Sequence, residues 1–387
     1  IGDGFVSGYG DPKGLGWVSR VMGRTSHPDL DGQLVDGYDF VSDPWTANDG
    51  DGRDADPSDP GDNVAAWDCD DNKTDLASTW HGTHVSGIIA AEADNGVGIA
   101  GVAPDALIEP VRVLGRCGGA SADIVDAITW ASGGAVAGAP RNTHPAKVIN
   151  MSLDGDATCP AYYQEAIDRA VSRGSIIVAA SGNEDSSISL MSPSSCDNVI
   201  TVAASTEYGR WATYSDWGPD LDLAAPGGQM EYDRGIFSTV ACGTATPQGP
   251  CYTWFDGTSM AAPHVSGIVA LMAQLDPSVT SSGTERILKD TATPYVGGCN
   301  RDGCGAGVAN AARAVAAVAG ASTPPTAAPT ATARPEPTPS GNPGASSSPT
   351  PSGNPGASPV PTPSATAPGP DRGGLGEYYY CLVFGCD

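Results

Sequence analysis

An α/β fold with a mostly parallel central sheet and helices on both faces is predicted for residues 1–321. Two observations carry this. The runs "KVINMSL" (147–153), "SIIVAAS" (175–181) and "NVITVAA" (198–204) are apolar on both faces, as strands buried from both sides must be. Among them stand helical patterns, "DIVDAITWASG" (123–133), "YYQEAIDRAVSRG" (162–174) and "MAAPHVSGIVALMAQLDP" (260–277), the second stopped by Gly174 and the third followed by Pro277. Strand–helix alternation of this kind builds a parallel sheet whose functional residues gather in loops at the carboxyl ends of its strands.

The rest of the chain is different. From Ser322 to Pro370 the composition collapses to Pro, Thr, Ala, Ser and Gly, and "PTPSGNPGAS" at 337–346 recurs at 349–358. Such a segment buries too little apolar surface to offset its chain entropy, so 322–370 reads as a disordered linker. A short Cys-containing tail, 371–387, follows it. The formal net charge of −26 argues against nucleic acid or an anionic membrane as partner, because phosphate would be repelled. No apolar run approaches the roughly 18 residues of a membrane span. Ten cysteines without a CxxC pair suit disulfides in an oxidising compartment better than a zinc site. Because the chain starts at Ile1 without a signal peptide, it reads as a processed or truncated piece of a secreted precursor.

Three short stretches carry chemistry. "FDGTSMAAPHVSG" (255–267) puts Ser259 at the start of a long helix, where free N–H groups and the positive dipole end favour a developing alkoxide; a plain N-cap has the same appearance. "WHGTHVSG" (80–87) places His81 and His84 on one helical face, with no third ligand at metal spacing. "VAASGNED" (178–185) ends a buried strand at Asn183, whose amide is able to donate to a substrate oxygen, although a turn Asn is the commoner case.

HGTHVSG, NMSL, SGNE, DLAAPG and GTSMAAPHVSG occur in this order over residues 81–267, and here the chain resembles the subtilisin-like serine peptidases. The resemblance runs from about Arg24 to Val318 and implies a three-layer fold and a secreted bacterial endopeptidase acting on polypeptides, expected to be a monomer and to have lost a pro-segment. It implies that Ser259 is the nucleophile, His81 the general base and acid, and Asn183 the oxyanion donor, with His84 structural. It implies further that an extended substrate pairs with the backbone of "LGRCGG" (114–119), through Gly118 and Gly119, and of "SLDG" (152–155), comprising Ser152, Leu153, Asp154 and Gly155. The family usually has Gly where Asp154 stands, so Asp154 is expected to narrow the primary pocket toward basic or small side chains, unless it points to solvent. Related secreted subtilases carry an insert like "DGDGRD" and bind structural calcium. Residues 43–71 hold ten Asp and only Arg53 as a base, which makes Asp49, Asp51, Asp54 and Asp56 candidate Ca²⁺ ligands, a solvated acidic loop being the rival. The same relatives suggest disulfides Cys69–Cys117, Cys159–Cys196 and Cys299–Cys304, leaving Cys242–Cys251 and Cys381–Cys386.

One departure stands out. The family carries an apolar strand ending in Asp-Thr-Gly or Asp-Ser-Gly about six residues before the His of "SHPDL", and that count places Val21 where the acid of the triad belongs. "WVSRVM" (17–22) also puts Ser19 and Arg20 into what should be a doubly buried strand. The atypical residues 1–23 are expected to reflect a frame error or mis-called start, with a peptide-binding pseudoenzyme as the alternative. Asp29 belongs to the HPDL turn, and Asp3 and Asp11 to a Gly-rich leader.

Overall fold

A computed structural model describes residues 3–9, by their backbone only, together with 27–69 and 73–320. Val21, the linker, the tail and the Cys381–Cys386 pair lie outside the described residues. Seven strands form the main sheet: β1 (Asp3–Tyr9), β2 (Tyr38–Asp39), β3 (Leu107–Leu114), β4 (Val148–Met151), β5 (Ile176–Ala180), β6 (Val199–Ser205) and β7 (Leu223–Pro226), in the order β2-β3-β1-β4-β5-β6-β7. A hairpin of β8 (Ile236–Ala241) and β9 (Pro250–Phe255) stands apart from it. The helices are α1 (Pro44–Ala47), α2 (His81–Ala90), α3 (Ser121–Ala131), α4 (Ala161–Ser172), α5 (Thr258–Leu275), α6 (Ser281–Thr291) and α7 (Ala311–Val318).

The apolar-on-both-faces reading holds residue by residue. Ile149, Met151, Ile177 and Ala179 pack with Ile124, Ala127 and Ile128 of α3 and Ala166, Ile167 and Ala170 of α4. Their alternates Val148, Ile176, Val178 and Ala180 pack on the other side with Ala261, Ala262, Val265, Ile268 and Val269 of α5. A period of two with both phases apolar is therefore a sheet sandwiched between helix layers. The three expected strands and three expected helices all form, each within two or three residues of its expected ends.

Two features were not expected. β3, "LIEPVRVL", is a central strand despite Glu109, Pro110 and Arg112. It tolerates them because both charged side chains have partners: Asn142 donates to Glu109 Oε2 at 3.0 Å, and the fully buried Arg112 pairs with Asp39 at 2.6 Å and with Asp49 at 3.1 Å. The second is β1. It comes from the leader and fills the slot between β3 and β4 antiparallel to both, whereas the other neighbours in the sheet are parallel. An empty slot there would leave two ladders of buried backbone groups without partners. Its register sets Asp3 opposite Leu114, so β1 begins at the carboxyl edge of the parallel strands.

Four disulfides form, Cys69–Cys117, Cys159–Cys196, Cys242–Cys251 and Cys299–Cys304, with Cα separations of 5.6, 5.0, 5.1 and 6.5 Å, inside the ordinary range. Three of them are the pairs that the family resemblance suggested, and Cys242–Cys251 is the one that those three left over. The first closes the longest loop and ties the acidic segment to the turn after β3. Asp29 is structural: its carboxylate accepts from Asn95 Nδ2, Ile99 N–H and Tyr252 O–H, joining the HPDL turn to the loop after α2 and to β9.

Candidate active site

His81 is the first residue of α2, and the chain reaches it through Trp80, which caps the helix in the left-handed conformation at φ 58°. A non-glycine residue there costs on the order of 1–3 kcal/mol and is held only where its surroundings over-determine it. They do so here: the Trp80 indole N–H donates to Gly243 O at 2.9 Å, Thr239 Oγ1 donates to Thr83 O, and Ser238 Oγ donates to His84 O. The β8 strand thus clamps the first turn of α2. His84 is a core residue, as expected, stacked on Phe255 at 4.5 Å and with Nε2 beside Ile236 O at 3.1 Å. His81 is buried, its Nε2 has no partner, and among the described residues no carboxylate pairs with its ring.

Ser259 is the second residue of α5, whose N-cap is Gly257 at φ 147°. This backbone suits glycine, and it brings the loop close to Asn183: a Cβ on Gly257 would lie 3.6 Å from Asn183 Oδ1. Asn183 follows β5. Its Oδ1 accepts from the Thr258 N–H at 2.8 Å and from Thr258 Oγ1 at 2.9 Å, which fixes the amide and leaves Nδ2 as the end with hydrogens to give. With the Thr258 N–H so used, the Ser259 N–H is the next along the helix start, and it has no partner among the described residues. The hydroxyl of Ser152, just after β4, donates to Ser259 O at 2.7 Å and receives Asn150 Nδ2 at 2.9 Å. The segments after β4 and β5 are thereby tied to the start of α5. α2 packs directly against α5, with Met260 in the same apolar cluster as Val85 and Ile88.

The segment 114–119 is a tight curl in which Gly115 and Gly118 exchange backbone bonds of 2.9 and 3.1 Å. Gly119 is required there, since a Cβ would meet Val113 O at 2.1 Å. The Arg116 N–H donates to Thr46 O, which holds the curl to α1. In the other segment, Gly155 bridges to Ser192, Leu153 is buried and Asp154 is half-buried rather than solvent-facing. Burial, with Glu184 and Asp156 nearby, pushes the Asp154 carboxyl up to about 7.

The four candidate calcium ligands are not brought together. Asp49 Oδ2 is drawn to Arg112 and its Oδ1 accepts the Asp51 N–H, Asp54 Oδ1 accepts the Asp56 N–H, and Asp56 accepts from Ser58. Among the described residues no three Asp, Glu, His or Cys side chains gather as a group that could hold a metal ion.

A helix-start serine, a buried imidazole on the neighbouring helix and an amide held near the serine are groups whose chemistry suits nucleophilic acyl transfer. The subtilase family model matches residues 19–315. The chain belongs to the subtilase family. The subtilase is 48% identical over 307 residues to an extracellular protease of Xanthomonas campestris pv. campestris, covering 79% of this chain and 52% of that protein. It is 44% identical over 317 residues to an extracellular basic protease of Dichelobacter nodosus, covering 79% and 51%. Among solved structures it resembles a protease from Pseudoalteromonas arctica with a TM-score of 0.73, at 46% identity, over 76% of this chain and 86% of that one. The match thus spans about half the length of the two curated relatives. No helix among the described residues is long and apolar enough to cross a membrane.

Three contributors to this site escape sequence reasoning. Thr258 anchors Asn183 through both its N–H and its hydroxyl; its only signal was its place next to Ser259 in GTS. Glu184 directly follows Asn183 and accepts its N–H at 3.0 Å. Asp216, some 30 residues on in sequence and accepting the Glu184 N–H at 2.9 Å, carried no signal at all.

Burial pushes the His81 pKa down to about 4. A depressed histidine is neutral in the folded state where the unfolded chain, at about 6.5, already binds a proton, so its contribution to stability is present above 6.5 and lost as pH falls toward 4. A base must be neutral to take the Ser259 proton. The rate of covalent labelling of Ser259 should therefore stay high through pH 6.5 and reach half its maximum near pH 4. A limb at or above 6.5 is the contrary result and means that an acid outside the described residues pairs with His81.

Proposed function

We propose that this subtilase is a secreted serine endopeptidase that cleaves extended polypeptides through an acyl-enzyme on Ser259. The observation that carries the reading is the anchoring of Asn183 by Thr258, which places an amide donor beside the helix-start serine. Ser259 Oγ attacks the substrate carbonyl carbon while His81 accepts its proton. The carbonyl oxygen, now negative, is held by Asn183 Nδ2 and the Ser259 N–H. His81 returns the proton to the leaving amine as the C–N bond breaks, and water, deprotonated by His81, then hydrolyses the ester. The substrate lies along 114–119 and 152–155 as an added strand. In this reading the chain works as a monomer freed of a pro-segment. Secretion is supported by the extracellular relatives and by the four disulfides, which persist in oxidising compartments.

Removing an oxyanion donor costs about 100- to 1000-fold in turnover. Asn183→Ala should lose that much in kcat with KM little changed, measured on a chromogenic peptide. A fall in KM-linked binding alone would remove Asn183 from this role.

A second reading, a peptide-binding pseudoenzyme, is favoured by the absence of a carboxylate on His81 among the described residues. Loss of the third triad member costs about 10⁴-fold in turnover while sparing the binding cleft. The two readings separate on turnover of a peptide substrate by the purified chain: a rate within the usual enzyme range supports the peptidase, and binding with a rate about 10⁴-fold lower supports the pseudoenzyme.

Calcium remains a proposal of its own. The ten Asp of 43–71 speak for it, and the engagement of Asp49 with Arg112 speaks against it. A melting temperature that falls in EDTA and recovers with added Ca²⁺ would support it, whereas one indifferent to chelator would leave a solvated acidic loop held by Arg112 and Arg53.

A further inference from the structure

The loop that joins β8 to β9 closes on itself as a small ring. The Cys242 N–H donates to Gly249 O at 2.7 Å, the Gln248 N–H donates to Cys242 O at 2.6 Å, and the Cys242–Cys251 disulfide ties the two strand ends together. None of residues 242–250 is buried, and Thr244, Thr246 and Gln248 are exposed, so the ring fills no core. What it presents inward is backbone. Gly243 O accepts the Trp80 indole N–H at 2.9 Å, Thr244 O accepts the Ser78 N–H at 2.8 Å, and Ala245 O accepts the Ser78 hydroxyl at 3.1 Å. Three consecutive carbonyls of one loop thus meet two of the three residues that lead into His81.

The third of those residues is held by another segment. Asp62 accepts both the Thr79 N–H at 2.8 Å and the Thr79 hydroxyl at 2.9 Å. Gly61 lets the two holders meet: it stands at φ 112°, and a Cβ there would lie 1.9 Å from Ala245 O and 2.7 Å from Ser78 Oγ. The left-handed Trp80 needs this much fixing, because a non-glycine residue keeps that conformation only where its surroundings over-determine it. Trp80 also sets where α2 begins, since its carbonyl accepts the first helical N–H, that of His84, at 3.1 Å. The direction in which His81 leaves the backbone therefore depends on Trp80, and Trp80 depends on the ring.

We infer that Trp80 is a positioning residue for the base His81, and that the disulfide-closed loop 242–251 is the template that keeps it in place. The inference rests on the peptidase reading and deepens it. The loop acts on the rate at which His81 takes the Ser259 proton, not on substrate binding and not on the core.

Two variants of the full chain test this. Trp80→Phe keeps the side chain aromatic and removes its N–H, while Cys242→Ser combined with Cys251→Ser opens the ring. In each, kcat on a chromogenic peptide should fall by about 10- to 100-fold with KM little changed, since misplacing a reacting group by about 1 Å costs about 100-fold. Cys299→Ser combined with Cys304→Ser removes a disulfide elsewhere; it should lower the melting temperature and leave kcat at the parent value. A folded Trp80→Phe with the parent kcat overturns the inference, as does an equal loss of kcat in the Cys299 and Cys304 control. Should the open-ring variant not fold, Trp80→Phe, with every disulfide intact, decides alone. If the parent turns over no peptide, the peptidase reading fails instead, and hydrogen exchange followed by mass spectrometry decides the positioning. Exchange across 78–84 should then quicken by about tenfold or more in Trp80→Phe while 121–131 in α3 keeps the parent rate. Unchanged exchange across 78–84, or equal quickening in α3, overturns the inference.

Discussion

Ser259→Ala should lower peptide hydrolysis by about 10⁶-fold, and His81→Ala by a similar factor, because the two act as one unit. The double variant should be no worse than either single one, since neither group moves a proton or forms a bond without the other. Among the described residues the Ser259 hydroxyl makes no hydrogen bond; its main-chain carbonyl takes the bond from Ser152. The variant should therefore fold like the parent, with unchanged circular dichroism and thermal unfolding. Additive losses in the double variant, or a Ser259→Ala protein that still cleaves at more than about a hundredth of the parent rate, would mean that the nucleophile lies elsewhere.

Arg112→Ala should cost about 3–5 kcal/mol of stability, the range for removing one member of a buried ion pair. Arg112 is fully buried in β3, donates to Asp39 and Asp49 through Nη1, and donates to Ala47 O through Nη2. Without it Asp39, itself fully buried, keeps a charge with no cation. Burial already raises the Asp39 pKa to about 7 against the pull of Arg112. A carboxyl raised above its unfolded value of about 3.8 contributes stability that is complete below 3.8 and disappears as pH rises through the folded value. The loss in Arg112→Ala should thus be smaller at pH 5, where Asp39 holds its proton, than at pH 8, as urea unfolding at the two values would show. Function follows, because Arg112 holds Ala47 at the end of α1, and α1 carries the Thr46 carbonyl that fixes the curl at 114–119. A variant as stable at pH 8 as the parent would show that β3 needs no charge at its centre.

How far the sequence revealed this follows from the physics of each element. β4, β5 and β6 were legible because helices cover both their faces, so both alternating phases are apolar. β3 was not, because its core status depends on partners, Asn142 for Glu109 and Asp39 for Arg112, that lie 33 and 73 residues away in sequence. The hairpin β8–β9 was hidden as well: β9 is largely half-exposed and mixed in polarity, while β8 clamps the first turn of α2 through Ser238 and Thr239. The antiparallel β1 came from a stretch read as a Gly-rich leader; pairing with β3 and β4, not its own pattern, makes it a strand. His81, Ser259 and Asn183 could be put forward as candidates because the family motifs that hold them are contiguous in sequence. The Asp216–Glu184 pair could not, since it exists only where the loops after β5 and β6 meet. In the acidic loop the sequence showed the density of carboxylates but not that Asp49 meets Arg112 and Asp54 the N–H of Asp56, contacts that depend on the folded loop.

The most direct test of the central claim is intact-mass analysis of the full chain treated with a fluorophosphonate. A single adduct on the peptide containing Ser259, absent in Ser259→Ala and slowed in His81→Ala, is the predicted result. A folded chain that takes no adduct at Ser259, or is modified equally in Ser259→Ala, would contradict it.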